Sequence, residues 1–95
     1  METIKNKKEA SEFLNTPENE IFNFHKFDNR EWKYKDKEQY EHLFRKINGE
    51  WIELTENVKA IYVDSYYSGD WEYMDEEYNY HKFNKNNKLL KKIKI

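Results

Sequence analysis

The sequence predicts an α+β fold in which one short N-terminal helix packs on a meandering antiparallel sheet of five to six strands. Three observations support it: a capped apolar stripe near the N-terminus, an Asn-Gly pair between two alternating runs, and aromatic-rich segments separated by turn residues. Ninety-five residues allow one small domain. We expect the helix within 1–17, the sheet over 20–83, and a basic tail over 84–95 that is frayed or forms a short amphipathic helix.

The first element is a capped helix. Asn6 is a favourable N-cap, and Glu9 three residues later completes a capping-box pattern. Ala10, Phe13 and Leu14 follow at i, i+3 and i+4 spacing, so they share one face. A Thr-Pro pair then ends the helix. Because a helix this short is marginal alone, it must pack on something larger.

The next segments, 20–27 and 30–35, predict two strands joined by a turn. Trp32 and Tyr34 alternate with charged residues, which places both rings on one face of the second strand. The polar segment from Asp36 reads either as a short helix or as a turn followed by a strand. We prefer the turn and strand, because the hairpin that follows needs an extended partner.

Asn48-Gly49 is the strongest local signal in the chain. Both residues tolerate positive φ, and they separate two runs with strand character. We therefore expect a two-residue type I′ hairpin. The expected pairs are Ile47 with Glu50, Arg45 with Ile52, and Leu43 with Leu54.

The second half of the chain predicts three more strands, at 59–67, 71–74 and 77–83, with a turn at Ser68-Gly69.

Two pairs of segments resemble each other. Residues 32–38 (WKYKDKE) are similar to 71–77 (WEYMDEE), and residues 20–27 are similar to 76–83. A hairpin repeat would produce such pairs. We interpret them instead as chance similarity in a chain dominated by Lys, Glu, Asn and Tyr.

Composition excludes several classes of protein. The chain has no cysteine, so it has no disulfide framework, thiolate nucleophile or Cys-ligated zinc. No apolar run approaches the roughly 20 residues of a membrane span, and no apolar stretch follows the first residues as in a secretory signal. We therefore expect a cytoplasmic protein without a membrane partner. The Lys- and Asn-rich, Gly- and Pro-poor composition is typical of AT-rich genomes, including those of many phages.

Catalytic and metal-binding signals are weak. His25, His42 and His81 form no ligand-spaced pair. His25 and His81 would meet only if their strands were neighbours, and we interpret all three as ordinary strand histidines. The serines lie in no nucleophile motif, and glycine is too rare for a phosphate loop. We expect no catalytic residues, metal or cofactor. A small ribonuclease is the least favoured alternative, because such enzymes are usually basic.

Charge is distributed unevenly. Residues 82–95 hold six lysines and no acid, which leaves −8 for the rest of a chain with net charge −2. Residues 69–81 hold five acids and no base, and tyrosines are interleaved with acids in this part of the chain. Such a surface suits protein binding. The predicted partner-binding residues are Asp64, Tyr66, Tyr67, Asp70, Trp71, Glu72, Tyr73, Asp75, Glu76, Glu77 and Tyr78.

These features together predict a non-enzymatic, cytoplasmic protein-binding protein. Alternate residues on a strand lie about 6.8 Å apart, close to the spacing of phosphates, so an acidic strand could occupy a partner's basic nucleic-acid channel. The most specific form of this prediction is an inhibitor encoded by a phage or mobile element, of the anti-defence (anti-CRISPR-like) or nucleic-acid-mimic type. Its target would be a host nucleic-acid-binding protein.

The alternative function is single-stranded nucleic-acid binding, with aromatic rings stacking on bases and the lysine-rich tail following phosphates. The residues predicted for this role are Lys82, Lys85, Lys88, Lys91, Lys92 and Lys94.

Overall fold

The computed structural model describes residues 3–94, with side chains as far as Leu89. These residues form one α-helix, α1 (Lys7–Leu14), a short 3-10 turn (Glu18–Glu20) and eight strands. The strands are β1 (Phe22–Asp28), β2 (Glu31–Lys35), β3 (Glu41–Ile47), β4 (Glu50–Glu53), β5 (Ala60–Ser65), β6 (Trp71–Asp75), β7 (Asn79–Phe83) and β8 (Leu89–Lys94). Within the described range, no helix has the length and apolar character needed to cross a membrane.

The chain divides into two compact units, Met1–Glu56 (unit 1) and Asn57–Ile95 (unit 2). Each contains an antiparallel meander, in the order β1-β2-β3-β4 and β5-β6-β7-β8. The α+β class and the antiparallel meander are therefore confirmed.

The single sheet of five to six strands predicted over 20–83 is wrong, because the first sheet ends after β4. There the Thr55 hydroxyl accepts a hydrogen bond from the Leu43 backbone N–H at 3.1 Å and donates to Glu53 at 2.8 Å. A side chain thus satisfies a ladder donor on β3, and the chain turns away over 54–57 to begin a new sheet.

The prediction for the tail is also wrong, because residues 89–94 form β8, which pairs antiparallel with β7. The Asn84 side chain accepts hydrogen bonds from the backbone N–H groups of Asn86 and Lys88, at 2.9 and 3.0 Å. These bonds close a turn that returns the chain alongside β7. The side chains of Leu90 and Ile93, and the whole of Ile95, lie outside the described residues.

The helix forms as predicted. Asn6 accepts a hydrogen bond from the Glu9 backbone N–H at 2.9 Å, while the Glu9 carboxylate accepts from the Lys5 N–H at 2.7 Å. Asn15, in the left-handed region at φ 54°, ends the helix. Ala10 is fully buried, which anchors the apolar face.

The Asn48-Gly49 hairpin is confirmed. The two residues have φ of 51° and 81°, as a type I′ turn requires. Ile47 faces Glu50 and Arg45 faces Ile52, and the Leu54 N–H donates to the Leu43 carbonyl at 2.8 Å. The segment after Asp36 is a turn followed by β3, as preferred above.

The core of unit 1 lies between α1 and one face of its sheet. Its buried members are Ile4, Ala10, Ile21, Trp32 and Phe44. The core is built around aromatic rings, because the chain has few aliphatic residues to fill it. In unit 2 the corresponding buried residues include Val63, Trp71 and Tyr73.

Charged residues on the other face of β2 and β3 are paired. Arg45 Nε lies 2.7 Å from a Glu31 carboxylate oxygen, and Lys33 Nζ lies 3.1 Å from one of Glu41. Glu31 and Glu41 are both buried. Pairing is what makes such burial tolerable, because an isolated buried charge is strongly unfavourable.

Candidate functional site

One set of residues occurs at the same positions in both sheets. The pattern W-x-Y-x-D-x-E-x-x-x-H-x-F begins at Trp32 in unit 1 and at Trp71 in unit 2, an offset of 39 residues. It runs through β2–β3 and β6–β7. Because the pattern falls on the second and third strands of both sheets, we interpret the similarity of 32–38 to 71–77 as part of an internal repeat, in place of the chance similarity expected above. The similarity of 20–27 to 76–83 has no structural counterpart, because β1 is a first strand and β7 a third.

The repeated aromatic residues form a stack of rings on one face of each sheet. In unit 1, Trp32 faces Phe44 and Tyr34 faces His42 across the strands. Their ring centroids lie 4.4 and 4.8 Å apart, with interplanar angles of 4° and 15°.

The same stack is present in unit 2. Trp71 faces Phe83 and Tyr73 faces His81, with centroids 4.5 Å apart in both pairs. The pattern therefore specifies a structural module, two stacked ring pairs on adjacent antiparallel strands.

The repeated aspartate closes the turn between those strands. Asp36 accepts hydrogen bonds from the backbone N–H groups of Glu38 and Tyr40, at 2.8 and 3.1 Å. Its other carboxylate oxygen lies 2.7 Å from His42 Nε2. The aspartate thus joins the turn to the ring stack.

Asp75 has the same arrangement. It accepts from the N–H groups of Glu77 and Asn79 at 2.9 and 3.0 Å, and its second oxygen lies 2.8 Å from His81 Nε2. The hydrogen bond from His81, followed by that from the Asn79 N–H, lowers the pKa of Asp75 to about 2. At Asp36, burial acts to raise the pKa, but the bonds from His42 and the turn N–H groups outweigh it and the pKa is lowered.

We expect Asp36→Ala to lower the free energy of unfolding by about 1–2 kcal/mol, since it removes the acceptor for two backbone donors. Asp36→Asn should lose less, because an amide oxygen can still cap the turn. Asn84 fills the same capping role between β7 and β8. Urea denaturation of both variants tests this, and equal losses for Ala and Asn would contradict the capping role.

His42 has an additional partner in unit 1. Its Nδ1 lies 2.7 Å from a Glu53 oxygen, so both ring nitrogens face carboxylates. Carboxylates only accept, so the ring donates at both positions when it is an imidazolium. Burial acts to lower the pKa of His42, but the bonds to Glu53 and Asp36 outweigh it and raise the pKa above its ordinary value. In unit 2 a lysine, Lys92, occupies the register position opposite His81.

His42 and His81 have equivalent surroundings in the two units. Each histidine is stacked on a tyrosine and bonded to a turn aspartate, and the same geometry recurs in both units. The juxtaposition of His25 with His81 does not occur through strand pairing, because β1 pairs with β2 while β7 pairs with β6 and β8. Over the described part of the chain, no group of three or more His, Asp and Glu residues is arranged to hold a metal ion.

The predicted partner-binding residues do not form one surface. Trp71 and Tyr73 are only 2% and 8% exposed, because they belong to the ring stack. Residues 64–78 run as strand, turn, strand and turn. The acids are therefore not aligned along one strand at phosphate spacing.

The two turns place six of the other predicted residues at opposite ends of the unit 2 sheet. Tyr66, Tyr67 and Asp70 belong to the turn after β5. Glu76, Glu77 and Tyr78 form the turn after β6. Tyr67 and Tyr78 are 97% and 60% exposed.

The face of the unit 2 sheet opposite the ring stack carries a different set of tyrosines. Cross-strand pairing aligns Tyr62, Met74 and Tyr80 in one row, and Asp64, Glu72 and Lys82 in the next. With Tyr66, these seven residues form what we call the tyrosine face. Tyr62, Met74 and Tyr80 are not among the partner-binding residues predicted from the sequence. Their signal is strand parity, since each lies an even number of positions from Asp64, Glu72 or Lys82.

Tyr66 is held in place on the tyrosine face. Its hydroxyl donates to Glu72 at 2.8 Å, and Lys82 Nζ lies 5.2 Å from its ring centroid. The bond to Glu72, together with desolvation, raises the pKa of Tyr66 to about 12. The hydroxyl therefore stays protonated as a donor throughout the physiological range.

The lysines predicted for nucleic-acid binding lie on β7, β8 and the turn between them. Lys82 is on the tyrosine face, and Lys85 and Lys88 are exposed in the turn. Lys91, Lys92 and Lys94 belong to β8, and their side chains lie outside the described residues.

No protein-family model matches the chain, and no curated protein or solved structure matches it either.

Proposed function

We propose that this chain is a non-enzymatic binding protein that docks a basic protein partner through its tyrosine face. The observation that carries the proposal is the composition of that face. Tyr62 and Tyr66 are 41% and 42% exposed, and the carboxylates of Asp64 and Glu72 occupy facing positions beside them.

Tyrosine is well suited to such a surface, because it offers a large contact area with few rotatable bonds. The ring stack on the opposite face supports the sheet, so little ordering is needed on binding. Carboxylates next to the rings complement Arg and Lys side chains of a partner and favour fast encounter.

In this proposal the partner is a host protein with a basic nucleic-acid channel, and the chain acts as an inhibitor that competes with nucleic acid. Asp64 and Glu72 are cross-strand neighbours, whose Cβ atoms lie about 4.5–5.5 Å apart. The two carboxylates would therefore contact a compact cluster of cationic side chains on the partner. Acids aligned along a single strand would instead contact a row of them.

The test is affinity capture from a nuclease-treated bacterial lysate, with bound proteins identified by mass spectrometry. We expect a nucleic-acid-binding protein that is captured by the wild type and reduced at least about tenfold by Tyr62→Ala combined with Asp64→Lys, as for a hot-spot pair. The matched control is Tyr78→Ala combined with Glu77→Lys, which makes the same changes in the turn after β6.

Capture that is unaffected by the tyrosine-face change, or lost equally in the control, contradicts the proposed surface. Adding an oligonucleotide that fits the partner's channel should release the captured protein. Failure of that competition would contradict inhibition by mimicry.

A further inference from the structure

The turn after β5 (residues 66–70) and the turn after β7 (residues 84–88) lie at the same end of the unit 2 sheet. They also touch. A Cβ atom built on Gly69 would lie 2.8 Å from Lys85 Cβ, so only a glycine allows the second turn to approach this closely. Gly69 has φ 94°, a conformation that glycine adopts without strain.

The second turn is fixed in place by the ring stack. The Asn87 side chain accepts a hydrogen bond from the buried Trp71 indole N–H at 2.7 Å. Asn84 closes the turn through the backbone N–H groups of Asn86 and Lys88. Lys85 and Lys88 therefore project from a backbone that is tied to the core.

The turn after β7 is basic, because it carries Lys85 and Lys88 and no acid, whereas Asp70 lies in the neighbouring turn. In the strand register Lys82 lies between Glu72 on β6 and Lys91 on β8. The exposed acids Glu76 and Glu77 lie at the other end, in the turn after β6.

The neighbouring turn adds an aromatic ring. Tyr67 is 97% exposed, whereas the adjacent Tyr66 is bonded to Glu72. A lone exposed ring beside lysines is the combination that binds single strands, because bases stack on the ring while cations follow the backbone phosphates.

We propose that this end of unit 2, formed by Tyr67, Lys85 and Lys88, binds single-stranded nucleic acid. Tyr67 stacks on one base, and the two lysines contact flanking phosphates. The site adjoins the tyrosine face at Tyr66 but shares no residue with it, and the inference goes beyond the protein-binding function proposed above.

The experiment measures binding of fluorescently labelled fifteen-nucleotide oligo-dT and oligo-rU to the full chain by anisotropy, over a range of salt concentrations. Tyr67→Ala should weaken binding about 5- to 150-fold, the range expected for loss of one stacked base. Lys85→Gln with Lys88→Gln should reduce the salt slope by about 1.4, or roughly 0.7 per phosphate contact on a single strand. Comparison of the two oligonucleotides distinguishes DNA from RNA.

Two controls separate this proposal from protein binding through the tyrosine face. Tyr78→Ala makes the same change at the opposite end of the sheet and should leave binding unaltered. Tyr62→Ala should weaken protein capture while oligonucleotide binding persists, so either proposal can fail alone. Circular dichroism confirms that each variant is folded.

Two outcomes would overturn the proposal. One is no binding of either oligonucleotide at low salt. The other is binding that is insensitive to Tyr67→Ala and matched by inorganic polyphosphate, which would show general attraction of polyanions in place of a stacking site.

Discussion

Trp32→Ala is expected to produce the largest loss of stability, about 3–5 kcal/mol in the free energy of unfolding. The Trp32 side chain is fully buried. Its ring stacks on that of Phe44, with the centroids 4.4 Å apart, and meets the ring of Phe13 on α1 edge-on, with the centroids 6.1 Å apart. Removing it therefore opens a cavity between the helix and the sheet, and both sides lose their contacts.

Chemical denaturation followed by circular dichroism measures this loss, and hydrogen exchange shows where it occurs. Exchange should accelerate in β2 and β3, the strands that carry the ring pair. Tyr67→Ala is the matched control, since truncation of an exposed ring should change stability by no more than about 0.5 kcal/mol. A loss of less than about 1 kcal/mol for Trp32→Ala would show that the ring stack is not the core of unit 1.

Trp71→Ala makes the equivalent change in unit 2 and should also be severe. It removes the ring that stacks on Phe83, with the centroids 4.5 Å apart. It also removes the indole N–H that donates a hydrogen bond to the Asn87 side chain. Faster exchange should then reach the turn at 84–88 as well as β6 and β7.

His42→Gln is expected to make the stability of unit 1 less dependent on pH. The folded-state pKa of His42 is raised above its ordinary value of 6.5. Its contribution is therefore fully present below about pH 6.5 and is lost as the pH rises through the folded value. The pKa of Asp36 is lowered in the folded protein. Its contribution to stability is therefore present above pH 3.8 and is lost as the pH falls through the folded-state pKa.

The greatest loss from His42→Gln should thus appear near pH 5–6 and shrink above neutrality. We expect about 2 kcal/mol, less than the roughly 3–5 kcal/mol for breaking a fully buried pair, because the His42 side chain is 21% exposed. Urea denaturation of wild type and variant at several pH values measures the difference. His81→Gln is the comparison variant, and a smaller loss is expected because, among the described residues, His81 bonds to one carboxylate, Asp75, whereas His42 bonds to two. A loss at His42 that is the same from pH 5 to 9 would contradict the double carboxylate clamp.

Local signals in the sequence predicted local structure well. Asn6 and Glu9 predicted the helix start, and Asn48-Gly49 predicted both the hairpin and its register, because each effect acts within a few residues. The alternation around Trp32 and Tyr34 likewise placed two rings on one face.

The division into two sheets could not be read in this way. Where the first sheet ends, the Thr55 hydroxyl accepts from the Leu43 N–H, a contact between residues twelve apart that no turn motif predicts. The burial of Trp71 and Tyr73 was missed for a related reason. The acids Asp70 and Glu72 flank Trp71 in sequence and indicate an exposed surface. In the structure Asp70 lies in a turn and Glu72 lies on the opposite face of the sheet. Extending the repeat to His81 and Phe83 would have revealed the ring stack.

The order of the strands bears on how the protein folds. Within residues 3–94, each strand pairs only with strands next to it in sequence. Most contacts are thus local, and proteins rich in local contacts fold quickly for their size. The strands β1 through β4 and their pairings all lie within unit 1, which ends at Glu56. The first sheet can therefore assemble while the second is still being synthesised, so folding can follow the direction of translation.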